Sequence, residues 1–450
     1  MRYLVIILVT LTGPVEADDG VSFRQDIAPI FIDHCISCHA ADRAEGGYRV
    51  DSYQALLEAG DSGTEGIFPR VVDDSEVFHR VKTDDLDMRM PLEGQPLSKE
   101  EITLLRHWIE QGARYDAKDP TAPLTTILPI TQHPPPPAAY PDWWPIGSVA
   151  WEPREGRIYV GGYREITVWD GGGRLARRIS NLPERISAME FAPDHARLAV
   201  AGGQPGRLGD VRIVDVMAGE VTDVVLQTPG VVLDVAWNPA GDRLAVAAAD
   251  RSVRVYRFDV DTGRWHLELE DQSHSDWVYS VTWDRAGKRL ATASRDGSTK
   301  VIDAETGKSI VSYQGHTGPV RTALFAADGD HVFSATADQL HRWKIEDGQQ
   351  AGKPIPLEGE ILALTHFDGH MVVTTDTEKI FQLDGTSGEK KNESTALGQR
   401  PVCVAAADQT GRCLLGTFGG QVMVWDWDAQ CVVANWDAYP KTIPKLAPES

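Results

Sequence analysis

Basic side chains are in short supply in this chain. Forty-four lysines and arginines face sixty-six aspartates and glutamates, a formal charge of −22. Such a surface repels phosphate backbones, which argues against nucleic acid as a partner and favours a basic protein instead. Long apolar runs are missing too. Past the first residues, no stretch approaches the ~20 apolar positions that span a bilayer. Cysteine is scarce as well, with five in 450 residues. Two of those five stand three apart, Cys35 and Cys38, with His39 directly after the second.

What is present divides along the chain. At 450 residues the length exceeds what one hydrophobic core sustains, so two or more domains are expected. Residues 1–17 combine one arginine, an apolar run from Tyr3 to Leu11 and the small-residue pattern Val15-Glu16-Ala17. This reads as a cleavable secretory signal. An uncleaved anchor is the competing reading, but the run is well short of a membrane span. The expected location is extracytoplasmic, periplasmic or secreted, with no membrane span after signal cleavage. Disulfides are permitted there, and haem is attached covalently to c-type cytochromes.

Residues 18–116 read as one small, mostly helical unit. Ser22 and Gln25 have capping-box spacing, and Phe23, Ile27, Ile30 and Phe31 fall on one helical face. Pro29 must kink that helix or sit in the first turn of its second half. Ser98 and Glu101 repeat the capping spacing ahead of an apolar stripe of Ile102, Leu105, Trp108 and Ile109, and Gly112 is placed to stop the helix. Residues 117–146 are rich in proline, with Pro134 to Pro137 consecutive, and read as a stiff linker.

Residues 147–438 repeat. First strands carry an aromatic or equivalent at Trp151, Phe191, Trp237, Trp283, Phe325, His366 and Ala406, a period of roughly 40 to 46 residues. The third strands, from Ile166-Thr167-Val168-Trp169 to Val422-Met423-Val424-Trp425, give an independent count, again seven. Units of this length with several strands each are the mark of a propeller, whose blades bury their faces against neighbours. How the ring closes stays open: blade seven supplies its own last strand, Cys431 to Asp437, unless residues near Leu124 to Ile130 replace it.

Cys35-x-x-Cys38-His39 is the attachment signature of c-type haem. The two thiols can meet the two vinyl groups on one porphyrin edge, while His39 brings an imidazole under the iron. A thioredoxin-like dithiol would need a strand before it, a zinc site two further ligands such as His34 and His79, and a disulfide across two residues would be strained. The opposite axial position falls to Met90 or Met88, which share a side in an extended segment. Pro91 fixes the backbone after Met90 and favours it. His79, His107 or an open site are the remaining choices.

The stretches Phe23 to Ala40, Gly46 to Gly63, Ser75 to Val81 and Arg89 to Tyr115 together resemble the planctomycete-type cytochrome c domain. That resemblance implies one covalent haem c on Cys35 and Cys38, with His39 and Met90 as axial ligands. Leu92 departs from the family, which commonly has a second proline there. The repeats resemble WD repeats, with Trp169-Asp170 and Trp425-Asp426 carrying the naming dipeptide and Gly315-His316 the start signature. The expected fold is therefore multidomain: a small all-α class I-like cytochrome c domain, then an all-β seven-bladed WD-type β-propeller.

The function expected is electron transfer through haem, with a basic redox partner and a second protein on the propeller. Two alternatives stand beside it. One is a propeller-based oxidoreductase, quinoprotein or haem-d-like, fed by the cytochrome domain; the other is a redox sensor. Asp259, Asp261 and Gly263 read as a propeller turn ahead of a calcium loop, and Asn392-Glu393-Ser394 as a chance sequon as readily as a real one. Cys403 and Cys413 flank one hairpin, as buried thiols or as a pair.

Overall fold

The computed structural model describes residues 20–439 apart from 37, 42, 93, 118, 125–126, 128–131, 141–143, 207, 229, 261, 368 and 408–410. The signal-like residues 1–17 and Asp261 lie outside the described residues. The chain falls into two units, one helical and N-terminal, the other built of strands. No helix among the described residues is long and apolar enough to cross a membrane.

The helical unit starts where its caps say it should. Ser22 Oγ accepts from the Gln25 amide at 3.0 Å, but the reciprocal bond comes from Asp26, whose carboxylate accepts from the Ser22 amide at 2.8 Å. A π-helical turn, Phe23–Ile27, then leads into α1 (Ala28–His34). Pro29 sits in the first turn of α1, directly after the π-helical turn. Short α2 (Tyr53–Leu56) and α3 (Glu76–Lys82) follow, and α4 (Lys99–Glu110) closes the unit. The Ser98 and Glu101 capping box of α4 is complete. Gly112, at φ +97°, ends it in a conformation other residues resist. Leu105, Trp108 and Ile109 of α4 pack with Phe23, Ile27 and Phe31 in one core. Leu124 and Ile127, from the stretch that was the alternative to a blade 7 strand in closing the propeller, are buried in that same core.

Among the described residues, twenty-eight strands form seven four-stranded antiparallel sheets, each from consecutive chain. Blade 1 runs from β1 (Val149–Glu152) to β4 (Leu175–Ile179), and blade 7 from β25 (Pro401–Ala407) to β28 (Cys431–Asp437). First strands of neighbouring blades abut around the ring, β1 against β25. The repeating aromatics have a visible task here. The indole N–H of Trp237 donates to the Glu190 carbonyl at 3.1 Å, and that of Trp283 to the Ala236 carbonyl at 2.9 Å, each reaching back to the preceding blade. At these two positions the sequence period is also a period of blade-to-blade bonding.

Blade 7 supplies its own fourth strand, so no exchanged strand closes the ring. Side chains from both ends of the propeller seal it instead. Tyr140 and Tyr439 lie 4.8 Å apart in one buried cluster, Tyr439 Oη donates to the Gly161 carbonyl, and the Ile146 amide donates to the Thr417 carbonyl. The proline-rich stretch expected as a spacer is held by the same unit. Arg178 donates to the Pro137 and Ala138 carbonyls and grips buried Glu165, while His133 meets Asp210 at 2.8 Å. Cys403 and Cys413 face opposite sides of the blade 7 sheet, in separate clusters, and neither forms a disulfide.

Blades 4 and 5 show how a single carboxylate matters. In blade 4, buried His274 has both ring nitrogens engaged, Nδ1 with Asp296 at 2.9 Å and Nε2 with Thr292 at 2.8 Å. In blade 5, His316 keeps the Nε2 partner, Ser334 at 2.7 Å, but Asp338 accepts from Thr336 instead and Nδ1 is buried without a partner. The His341 ring stands 4.3 Å away. Burial, with His341 adding to it, lowers the His316 pKa from the ordinary 6.5 to about 3. Between these values the unfolded chain binds a proton that the folded chain refuses, so stability falls as pH drops from 6.5 towards 3. His316→Gln is expected to flatten that part of the profile in denaturant titrations at pH 7, 5 and 4; an unchanged slope would rule His316 out as its source.

Candidate functional site

Cys35 caps the end of α1, its amide held by the Phe31 carbonyl at 3.0 Å. From there the chain turns tightly: the amides of Cys38 and His39 both donate to the Cys35 carbonyl. The turn brings the thiol of Cys35 and the imidazole of His39 to one cavity of about 420 Å³. Burial, then the neighbouring Cys38, pushes the Cys35 thiol up to about 12. It is a protonated thiol in a largely apolar pocket, and no disulfide joins it to Cys38.

His39 is oriented by backbone. Its Nδ1 lies 3.2 Å from the Tyr48 carbonyl, and its own carbonyl accepts from the Val50 amide at 2.8 Å. An Nδ1–H donated to that carbonyl leaves the Nε2 lone pair available, the usual arrangement of a metal-ligating histidine. Tyr48 is pinned in turn, since its hydroxyl donates to the Leu56 carbonyl at 2.9 Å. Two glycines make room for it: a Cβ at Gly66 would lie 2.0 Å from Tyr48 Oη, and one at Gly60 would lie 2.9 Å from Tyr48 Cβ.

Met90 lines the same cavity, brought there by α3. Its amide donates to the Arg80 carbonyl at 2.9 Å, and Arg80 is itself tied to Glu76 at 2.7 Å. Met88 is not among the lining residues and is 47% exposed. The segment is not extended as expected: the amides of Met88 and Arg89 both bond to the Asp85 carbonyl, so a turn separates the two methionines. The other candidates lie elsewhere. His79 is exposed with Nε2 at the Asp73 carbonyl, His107 is exposed on α4, and His34 joins α1 to α4 through Glu101 at 2.9 Å.

Phe31, Val50, Val77 and Val81 supply apolar wall, while exposed Glu45, Asp61, Ser62 and Thr64 mark the opening to solvent. Tyr48, Gly60, Gly66 and Arg80 are site residues that sequence reasoning did not single out. Tyr48 acts through its peptide carbonyl, for which no side-chain pattern is a signal. The motif glycines around it were the available clue.

Comparison with known proteins agrees with this division. Residues 35–94 match the family model of Planctomycete cytochrome C, and residues 235–327 that of the Anaphase-promoting complex subunit 4 WD40 domain. WD repeat-containing protein 90 of Mus musculus is 20% identical over 307 residues, covering 54% of this chain. The match covers 16% of that much longer relative. A helical region with cytochrome c family similarity and a seven-bladed β-propeller with WD40 similarity thus share one chain.

Proposed function

We propose that the chain is an exported monohaem c-type cytochrome that moves single electrons, with the propeller as a scaffold for another protein. The observation that carries this reading is the cavity that gathers the Cys35 thiol, the His39 imidazole and the Met90 thioether. The residues present fit haem c. They offer a thiol for covalent attachment, a ring nitrogen freed by a carbonyl-bound partner, a soft sulfur, and apolar walls that keep water from a metal.

Bound haem supplies a one-electron Fe(II)/Fe(III) couple. Cys35 and Cys38 would hold the group covalently through their sulfurs, and His39 would present Nε2 to it, with the Tyr48 carbonyl fixing the ring and tautomer. Met90 would offer its thioether as a second protein ligand, which would raise the potential and favour electron transfer over ligand binding. Phe31, Val50, Val77 and Val81 would lower the local dielectric around the group. The extracytoplasmic assignment is supported by the signal-like first residues and by the attachment motif. The scaffold role is supported by the WD40 match.

The test is covalent haem. The exported full-length chain is expected to retain haem absorbance after denaturing electrophoresis, and Cys35→Ser/Cys38→Ser to lose essentially all of it. Haem absent from the wild-type band, or retained by the double variant, would overturn the reading.

A further inference from the structure

We propose that the loop spanning residues 83–92 is the docking face for an electron-exchange protein whose own contact surface is rich in lysine and arginine. This rests on the haem reading above and adds the place where the partner sits. The loop has two sides. Inward, Met90 lines the cavity and its amide is held by the Arg80 carbonyl. Outward, Leu86, Met88 and Leu92 are 68%, 47% and 57% exposed. Three large apolar side chains on one short loop are costly to leave in water, and they flank Met90 in sequence.

Charge sets the kind of partner. Asp84, Asp85 and Asp87 are all exposed on the same loop, and among the described residues no ion pair engages any of them. Arg89 is the single basic residue between 83 and 92, and its Nε is buried. Exposed apolar side chains interleaved with carboxylates outside any ion pair match a partner whose surface interleaves apolar side chains with cations. A second copy of this chain brings the same negative loop and is repelled. Anionic lipid surfaces are repelled for the same reason. Small, charge-steered contacts of this kind suit brief electron-transfer encounters, which lie at the low end of interface size.

The test uses the intact haem-loaded chain and, as probe, a lysine-rich soluble cytochrome c, with the electron-transfer rate followed by stopped flow. The wild-type rate is expected to fall about tenfold as ionic strength rises from 10 to 200 mM. Asp84→Asn/Asp85→Asn/Asp87→Asn, whose side chains keep the same shape, is expected to lose about tenfold at low salt and most of the salt dependence. Leu86→Lys, a change at a side chain pointing to solvent, should lower the rate again by placing a cation opposite cations. Glu220→Gln/Glu305→Gln/Glu346→Gln removes the same charge from exposed positions outside the loop and should stay within about twofold of wild type if the loop itself is the docking face. Equal losses in both triple variants would reassign the effect to net charge, and an unchanged rate in the loop variants would reject the docking face with the haem intact. A chain without covalent haem would overturn the underlying reading and this proposal with it.

Discussion

Met90→Ala is expected to lower the reduction potential of the haem-loaded chain by on the order of 100 mV, since axial ligation is the strongest protein lever on haem potentials. The same variant should lose the absorption signature of thioether ligation and gain affinity for small exogenous ligands at the opened position. Met88→Ala is the matched comparison, because Met88 is 47% exposed and stands outside the cavity that Met90 lines. It should leave potential and spectrum unchanged. Spectroelectrochemical titration of both proteins decides the matter, and a Met88 variant that shifts like the Met90 variant would transfer the ligand role. Met90 is held by backbone as well as by its neighbours, through its amide on the Arg80 carbonyl. Arg80→Ala should therefore disturb the site less than loss of the sulfur.

Trp108→Ala should be the most damaging change in the helical unit. The side chain is fully buried, its indole N–H donates to the Arg114 carbonyl at 2.9 Å, and the Phe23 ring stands 5.3 Å away. Truncating a buried tryptophan costs about 3–5 kcal/mol through lost transfer energy and the cavity left behind. The Arg114 carbonyl also loses its partner. For a unit of this size that corresponds to a fall in melting temperature of ~10 °C or more. Scanning calorimetry should show the helical unit melting early while the propeller transition stays in place, because the propeller core is built from other residues. A single transition shifted as a whole would mean that the two units unfold as one.

What could be read from sequence was what short-range chemistry writes there. The α4 capping box needs Ser98 and Glu101 three apart, and the structure completes it as spaced. The haem signature needs Cys35, Cys38 and His39 on one tight turn, and the turn is there. The blades were countable because each repeats a local hairpin pattern, and in blades 3 and 4 the repeating tryptophan also bonds backwards to the blade before it. Long-range bonding was not countable. Nothing near Tyr48 in sequence says that its carbonyl orients His39, and nothing in Pro137 announces Arg178. At the first cap the spacing favoured Gln25, yet a π-helical turn brought Asp26 round to the Ser22 amide. Met88 and Met90 could not be separated by alternation because the backbone there turns, so a period of two does not apply.

The way the ring is sealed bears on when the protein can become whole. Blade 1 is synthesised early, but the contact between Tyr439 and the Gly161 carbonyl joins positions 278 residues apart. Closing a loop of that length costs about 5 kcal/mol in chain entropy, and no strand is exchanged to offset it with a ladder of hydrogen bonds. During translation one flank of the first blade therefore stays bare until the last blade emerges, exposing apolar surface for most of the chain's synthesis. A chaperone that shields that flank, or a premature stop that removes the final hairpin, would decide between a closed ring and an aggregate.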